Sequence, residues 1–124
     1  MIIVDTSVWI EHLRKTDTQL VQLLDKSLVL MHPFIIGELA CGNLHNRLQI
    51  LTLLKNIPLA KEASHQEVLY FIEHNQLMGC GIGYIDAHLL TSTALTNDTK
   101  IWTYDKRLAN LSNEIGLSIT NLPA

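Results

Sequence analysis

The stretch Met1-Ile2-Ile3-Val4-Asp5-Thr6-Ser7 joins a short apolar run to an acid and two hydroxyl residues. The β-branched residues Ile2, Ile3 and Val4 favour a buried strand. In open α/β sheets, ligands bind outside the carboxyl ends of the strands. Because Asp5 closes this strand, we expect it at the edge where a functional site would form.

Three further acids are placed in a similar way. Asp105 closes a second apolar strand, Ile101-Trp102-Thr103-Tyr104. Glu38 lies in the middle of the apolar stretch 34–40, and Asp86 lies in the first turn of the helix that follows the glycine-rich loop 79–83. The pattern therefore brings four carboxylates toward one edge of a predicted sheet.

Length and composition are typical of one folded domain spanning residues 1–124. Hydrophobic residues make up 48% of the chain and charged residues 17%, which favours a substantial core over disorder. No apolar run reaches the ~18 residues of a membrane span, and the N-terminus lacks the basic region of a signal peptide. Cys41 and Cys80 form no CxxC pair. We therefore expect a cytoplasmic protein with no membrane association.

The net charge discriminates weakly between functions. Nine Lys and Arg against twelve Asp and Glu give 9 − 12 = −3. Nucleic-acid binders are usually basic, so this value argues against one at first sight. Metal ions bound to four of the acids would, however, offset their charge.

Short apolar strands alternate with longer amphipathic segments, which predicts an α/β fold with a mostly parallel sheet. The predicted strands are Met1–Val4, Leu28–Met31, Lys100–Tyr104 and Leu117–Ile119. The predicted helices are Ser7–Leu13, one capped by Asp17 or Thr18, Pro33–Cys41, Leu44–Asn56, Lys61–Leu77, Tyr84–Leu95 and Lys106–Asn113.

Each acid has an ordinary structural alternative. Asp5 and Asp105 are suitable helix caps, although the hydroxyls beside Asp5 could cap equally well. Asp86 would favour the dipole of the helix that it begins. Glu38 could be one exposed position of an amphipathic helix, since burying it without a partner would be costly. The argument for function is the joint placement of all four.

Four carboxylates in one place suit a hard divalent cation. Without metal they would repel, and at least one would keep its proton with a raised pKa. Oxygen ligands select Mg²⁺ or Mn²⁺, and no His or Cys cluster suggests zinc. We interpret His88, which lies two residues after Asp86, as packing or surface. Such a metal site suits phosphodiester hydrolysis, with the hydroxyls of Thr6, Ser7 and Thr103 orienting waters or a phosphate.

These residues resemble a PIN domain, and more specifically the VapC-type toxin ribonucleases of toxin–antitoxin pairs. The matching segments are Ile3 to Trp9, the Glu38-Leu39 helix, Tyr84 to Leu90 and Ile101 to Leu108. The resemblance implies a central, mostly parallel sheet flanked by helices in three layers. It also implies endonucleolytic cleavage of RNA, a homodimer, and a cognate antitoxin that inserts a segment near the active site. By position, Asp5, Glu38, Asp86 and Asp105 would be the metal-binding and catalytic residues, with Ser7 in support.

Candidate partner surfaces are less defined. The residues that could hold RNA are Arg14, Lys15, Arg47, Lys106 and Arg107, each of which could equally be an ordinary surface charge. The apolar positions around Trp9, Ile10 and Leu13, and the helix Leu48–Leu54, would serve either a protein partner or the core. Two other functions stay open: a non-catalytic binding module on the same fold, and a nuclease that acts on DNA.

Overall fold

Three parallel strands form the centre of the molecule. The computed structural model describes residues 1–119, in which β1 is Ile2–Val4, β2 is Val29–Leu30 and β3 is Lys100–Trp102. The strand order is β2-β1-β3, with Ile3 opposite Leu30 on one side and Ile101 on the other. Because β1 is the central strand, Asp5 lies at the middle of the carboxyl edge.

Single bridges extend this sheet on both sides. Met31 pairs in parallel with Leu59, and Ile101 pairs in parallel with Ser118. The predicted last strand, Leu117–Ile119, is therefore reduced to one bridge position. The Ile101 N–H donates to the Leu117 carbonyl, and the Ile101 carbonyl accepts a hydrogen bond from the Ile119 N–H.

Helices flank the sheet in the predicted three-layer α/β/α arrangement. In the described part of the chain they are α1 Thr6–Arg14, α2 Thr18–Asp25, α3 Pro33–Ala40, α4 Arg47–Lys55, α5 His65–His74, α6 Tyr84–Leu95 and α7 Lys106–Glu114.

Local sequence signals explain where several helices begin. The Asp17 carboxylate accepts hydrogen bonds from two N–H groups in the first turn of α2. Pro33 is the first residue of α3. Its fixed φ suits a helix, and the backbone N–H that it lacks would have no partner within the helix at this position. Ser64 and Glu67 form a reciprocal capping box at α5. These side chains satisfy backbone donors that would otherwise be unpaired.

Two predicted helices were too long. Helix α4 begins at Arg47 rather than Leu44, because Asn46 takes a left-handed conformation with φ 51°. Helix α5 begins at His65 rather than Lys61, and it stops before Gln76, which has φ 54°. Two leucines on the apolar positions of these helices are exposed, Leu48 by 83% and Leu69 by 47%.

The core lies between the sheet and the surrounding helices. Its fully buried side chains include Ile3, Val4, Leu20, Leu89 and Ile101. Trp9 is also buried, whereas Ile10 is exposed, so the apolar stretch of α1 serves both the core and the surface. Among residues 1–119, no helix combines the length and apolar character needed to cross a bilayer.

Candidate active site

Asp5 is the buried carboxylate at the centre of the site. It stands at the N-cap of α1, but its side chain makes no capping hydrogen bond. Its Oδ2 atom instead accepts hydrogen bonds from Ser7 Oγ at 2.8 Å and from Thr103 Oγ1 at 2.7 Å. Capping therefore does not explain this acid, which is only 6% exposed.

The same two hydroxyls join the ends of β1 and β3. Ser7 Oγ accepts a hydrogen bond from the Tyr104 N–H at 3.0 Å, and Thr103 Oγ1 accepts one from the Asp105 N–H at 3.0 Å. The two hydroxyl oxygens are 3.2 Å apart. The proposal that Ser7 caps α1 is wrong, because its hydroxyl is used in this network. The network fixes the backbone that carries Asp105.

Glu38 is exposed on α3 and is held from α1. The Thr6 hydroxyl donates a hydrogen bond to Glu38 Oε1 at 2.7 Å. Since the next residue, Ser7, binds Asp5, two adjacent hydroxyl residues hold two of the acids. The exposed position was one of the two alternatives for Glu38, and the structure confirms it.

Asp105 is both a helix cap and a member of the site. Its Oδ1 atom accepts a hydrogen bond from the Leu108 N–H at 2.9 Å, which caps α7 as anticipated. Within residues 1–119 its other oxygen accepts no hydrogen bond. Capping thus uses one oxygen and leaves the second available to a ligand.

Asp86 links the four acids electrostatically. This half-buried residue lies in the first turn of α6. Burial raises its pKa, and the charges of Asp5, Asp105 and Glu38 raise it further, against a hydrogen bond from the Gly83 backbone that lowers it. The charges of the other three acids therefore reach Asp86.

In the described part of the chain, the carboxylates of this cluster have no cationic neighbour at salt-bridge distance: within residues 1–119, none of the four forms a salt bridge with Lys or Arg. The same region holds no ready-formed group of three or more acidic, His or Cys side chains around a common metal position. Mg²⁺ commonly binds through one or two carboxylates and keeps several waters, so the all-oxygen donors fit it without a closed cage.

His88 belongs to the packing, as predicted. It is 5% exposed, its Nε2 lies 3.0 Å from the Tyr84 hydroxyl, and its ring contacts Phe34 edge-on at 4.6 Å. A second buried histidine, His32, caps α3 by accepting the Phe34 N–H at its Nδ1 atom. Burial lowers the pKa of both rings, which keeps them neutral near pH 7.

The five basic residues proposed for RNA binding are all exposed, four of them on three different helices and Lys15 just after one. Arg14 pairs with Glu11, and Arg47 donates to the Gly42 carbonyl. Lys15 follows the end of α1. Lys106 and Arg107 directly follow Asp105 at the start of α7, which makes them the pair nearest to the acids in the sequence.

A residue that the sequence reasoning missed is Tyr104. Its N–H donates to Ser7 Oγ, and its hydroxyl donates to the Asp17 carboxylate. Burial, and then the Asp17 contact, raise its pKa to about 12. The available signal was an aromatic residue placed directly between the predicted supporting residue Thr103 and the predicted ligand Asp105.

Comparison with known proteins agrees with this geometry. Residues 2–114 match the family described as PIN domain, and the chain belongs to that family. It is a VapC-type member: it is 44% identical, over 119 residues and 96% of each chain, to Ribonuclease VapC32 of Mycobacterium tuberculosis strains CDC 1551 / Oshkosh and ATCC 25618 / H37Rv.

Proposed function

We propose that this chain is a metal-dependent endoribonuclease and the toxin of a toxin–antitoxin pair. The observation that carries the proposal is the buried Asp5 carboxylate, which Ser7 and Thr103 hold at the carboxyl edge of the sheet, together with the charges of Asp5, Asp105 and Glu38 that act on Asp86. Such a cluster opposes folding unless a bound cation compensates it. The name of the relative, a ribonuclease, supports RNA as the substrate.

The four carboxylates would hold Mg²⁺ or Mn²⁺. When bound, such an ion lowers the pKa of an attacking water and offsets charge that develops on the phosphate. Asp5 and Asp86 are the more buried pair, and Glu38 and Asp105 the more exposed. The exposed pair would face the incoming substrate.

The chain itself supplies orientation. Ser7 and Thr103 fix Asp5, Thr6 fixes Glu38, and the Leu108 N–H fixes Asp105. Because each carboxylate keeps a free oxygen or a free lone pair, these bonds set direction without blocking a ligand. Hydrogen-bond partners that orient metal ligands are commonly worth 10- to 100-fold in affinity or activity, on the order seen in other metal sites.

Substrate phosphates would be held from α7. Lys106 and Arg107 lie at the N-terminus of that helix, where backbone N–H groups and the helix dipole also favour anions. The Arg107 side chain packs against Gly81, whose added Cβ would lie 3.0 Å from Arg107 Cδ. Arg14, Lys15 and Arg47 would make more distant contacts with the RNA.

An antitoxin would bind in the groove between α1, α3 and α4. This groove of about 540 Å³ is lined by Ile10, Leu13, Leu39 and Ile50, and it reaches Glu38. An amphipathic helix could bury its apolar face there and place a cationic side chain at the acids. Displacement of the metal by that charge would switch off cleavage.

The remaining proposals concern assembly and location. We propose a homodimer that acts in the cytoplasm. The outer face of α4 exposes Leu48 by 83% and Leu53 by 56%, which is apolar surface that a second copy would cover.

Purified protein incubated with total cellular RNA tests the proposed function. Reactions contain Mg²⁺, Mn²⁺ or EDTA, and new RNA ends are mapped by sequencing. Discrete cuts that require metal are expected. A folded protein that cuts no RNA in either metal would overturn the proposal and favour the binding-module alternative, and cuts in DNA alone would favour a deoxyribonuclease.

A further inference from the structure

Asp17 is a carboxylate outside the group of four acids, and its position in the fold is fixed. It is the N-cap of α2, and its Oδ1 atom accepts hydrogen bonds from the Gln19 and Leu20 N–H groups at 3.0 and 3.2 Å. Its own backbone N–H donates to His12 Nδ1 at 3.1 Å. Because one oxygen and the backbone are both held, the other oxygen of Asp17 has a defined position as well.

That other oxygen holds the side chain of Tyr104. The Tyr104 hydroxyl donates to Asp17 Oδ2, across 87 positions of sequence. The Tyr104 ring also meets the buried Trp102 ring edge-on, with the ring centroids 5.6 Å apart. Burial, and then the Asp17 contact, raise the pKa of Tyr104 to about 12, so the hydroxyl remains a donor at neutral pH. The Tyr104 side chain is therefore tied to the start of α2.

The backbone of Tyr104 is tied to the acids. Its N–H donates to Ser7 Oγ at 3.0 Å, and the Ser7 hydroxyl donates to Asp5 Oδ2 at 2.8 Å. A hydroxyl that accepts a hydrogen bond becomes a stronger donor, because consecutive hydrogen bonds polarise one another. One hydrogen bond on the side-chain end of Tyr104 and two on its backbone end thus connect Asp17 to the buried carboxylate of Asp5.

The position of Tyr104 also affects Asp105, the next residue. The peptide group between them carries the Asp105 N–H, which donates to Thr103 Oγ1 at 3.0 Å. Thr103 Oγ1 in turn donates to Asp5 Oδ2 at 2.7 Å. A backbone shift at Tyr104 would therefore disturb both hydroxyl groups that bind Asp5, since each of them also accepts a backbone N–H from one end of this residue.

We infer that Asp17 is a positioning residue of the candidate active site: by holding the Tyr104 side chain, it fixes the backbone that aligns Asp5 and Asp105 for a divalent cation. This inference rests on the proposed metal-dependent function. Asp17 acts through geometry and is not a ligand of the cation, because both of its oxygens already accept hydrogen bonds from the protein.

Capping of α2 is the ordinary explanation for Asp17, and three substitutions separate capping from positioning. Asp17→Ser keeps a capping oxygen and loses the oxygen that Tyr104 binds. Tyr104→Phe leaves the cap intact and removes the donor. Asp17→Asn keeps the capping oxygen, and its amide can donate to the Tyr104 oxygen, so this variant preserves the contact without the charge.

Amide hydrogen exchange, followed by NMR in EDTA, measures how firmly the backbone is held. We expect Asp17→Ser and Tyr104→Phe to speed exchange of the amides at positions 104 and 105 by roughly 2- to 12-fold, the factor that corresponds to one net hydrogen bond. Asp17→Asn should exchange at nearly the wild-type rate. The double variant of Asp17→Ser and Tyr104→Phe should exchange no faster than either single variant, because both changes remove the same contact.

Titration with Mn²⁺ alone measures the consequence for the cation. The Kd for Mn²⁺ should rise by roughly 2- to 12-fold in Asp17→Ser and in Tyr104→Phe, and Asp17→Asn should restore it. Two controls should leave both the amides and the Kd unchanged. Tyr70→Phe removes the hydroxyl of an exposed tyrosine on α5, and Ser64→Ala removes the cap of that helix. Circular dichroism verifies that every variant is folded.

Unchanged exchange at positions 104 and 105 in Asp17→Ser would overturn the inference. Equal losses of Mn²⁺ affinity in Asp17→Asn and Asp17→Ser would do the same, because the effect would then come from the charge of Asp17. Faster exchange with an unchanged Kd would also overturn it, since Asp17 would then hold Tyr104 without any effect on the site. If the wild type binds no Mn²⁺, the metal centre of the proposed function fails, and the exchange rates alone decide whether Asp17 fixes the backbone beside the acids.

Discussion

Thr103 Oγ1 donates a 2.7 Å hydrogen bond to Asp5 Oδ2, across 98 positions of sequence. The same oxygen accepts the Asp105 N–H, so one hydroxyl fixes a side chain on β1 and the backbone of another acid after β3. The position of Asp105 relative to Asp5 therefore depends on a single uncharged residue.

Thr103→Val should lower cleavage and metal affinity by about 10- to 100-fold, as for other partners that orient metal ligands. The substitution preserves shape but removes the hydrogen bond to Asp5 and the one from the exposed Asp105 N–H, which should cost about 0.5–1.5 kcal/mol of unfolding free energy each. Isothermal titration with Mn²⁺ and a urea melt measure the two effects. Thr93→Val is the control, since its hydroxyl bonds only to the Leu89 carbonyl within α6. Equal losses of activity in both variants would contradict a specific role for Thr103.

Asp86→Asn should stabilise the metal-free protein near pH 7. The folded pKa of Asp86 is raised above the unfolded value of 3.8, mainly by burial and then by Asp5. As pH rises from that value, the unfolded chain loses its proton first, so stability falls until the folded group also ionises. Asparagine removes this fall. Urea melts in EDTA from pH 4 to pH 7 measure it, with Asp25→Asn, an exposed carboxylate in α2, as control. An unchanged pH slope in Asp86→Asn would rule out the raised pKa.

Acid should weaken the fold through His32. Burial lowers its folded pKa below 6.5, so as pH falls below that value the unfolded chain binds the proton first and stability is lost. His88 acts in the same direction, so His32→Asn should reduce the loss without abolishing it. Asparagine at this N-cap can still accept the Phe34 N–H. Thermal melts between pH 7 and pH 5 measure the slope, and the exposed His45→Gln variant should keep it in full.

Gly81→Ala should weaken RNA binding more than Gly79→Ala. Both glycines have positive φ, 82° and 71°, so both substitutions strain the backbone similarly. A Cβ at Gly81 would also meet Arg107 at 3.0–3.4 Å, whereas a Cβ at Gly79 meets nothing within 4 Å. Displacing Arg107 should weaken binding and flatten its salt dependence by about 0.7 in log–log slope, the loss of one phosphate contact to a single strand. Identical slopes in the two variants would argue against Arg107 as a phosphate contact.

The sequence predicted the central strand that Asp5 follows, because an apolar run ending in an acid is a local pattern, whereas it extended the strand before Asp105 to Tyr104 although β3 ends at Trp102. It also predicted the bounds of α6, because glycines interrupt the chain directly before Tyr84. The errors fall where apolar residues serve the surface: Leu48 and Leu69 look like core positions and are exposed. The capping box of Ser64 and Glu67 was readable and would have corrected the start of α5.

The contacts between distant segments could not be read from the sequence. Ser7 was assigned to a cap because its local position suits one, but the hydroxyl bonds to Asp5 and accepts the N–H of Tyr104, 97 residues away. Tyr104 was missed for the same reason: its partner Asp17 lies 87 residues earlier. Long-range pairing of this kind depends on how β1 and β3 align, which periodicity does not determine.

The central claim is that Asp5, Glu38, Asp86 and Asp105 form one metal-dependent catalytic centre. Single-turnover cleavage of an RNA carrying a mapped cut tests it most directly, with wild type, Asp86→Asn and the Asp25→Asn control at a series of Mg²⁺ concentrations and in EDTA. We predict that Asp86→Asn loses more than about 100-fold in rate at every Mg²⁺ concentration, beyond the loss from one orienting partner. We also predict that Asp25→Asn matches the wild type and that EDTA abolishes cleavage. Cleavage that persists in EDTA, or at the wild-type rate in folded Asp86→Asn, would contradict the claim.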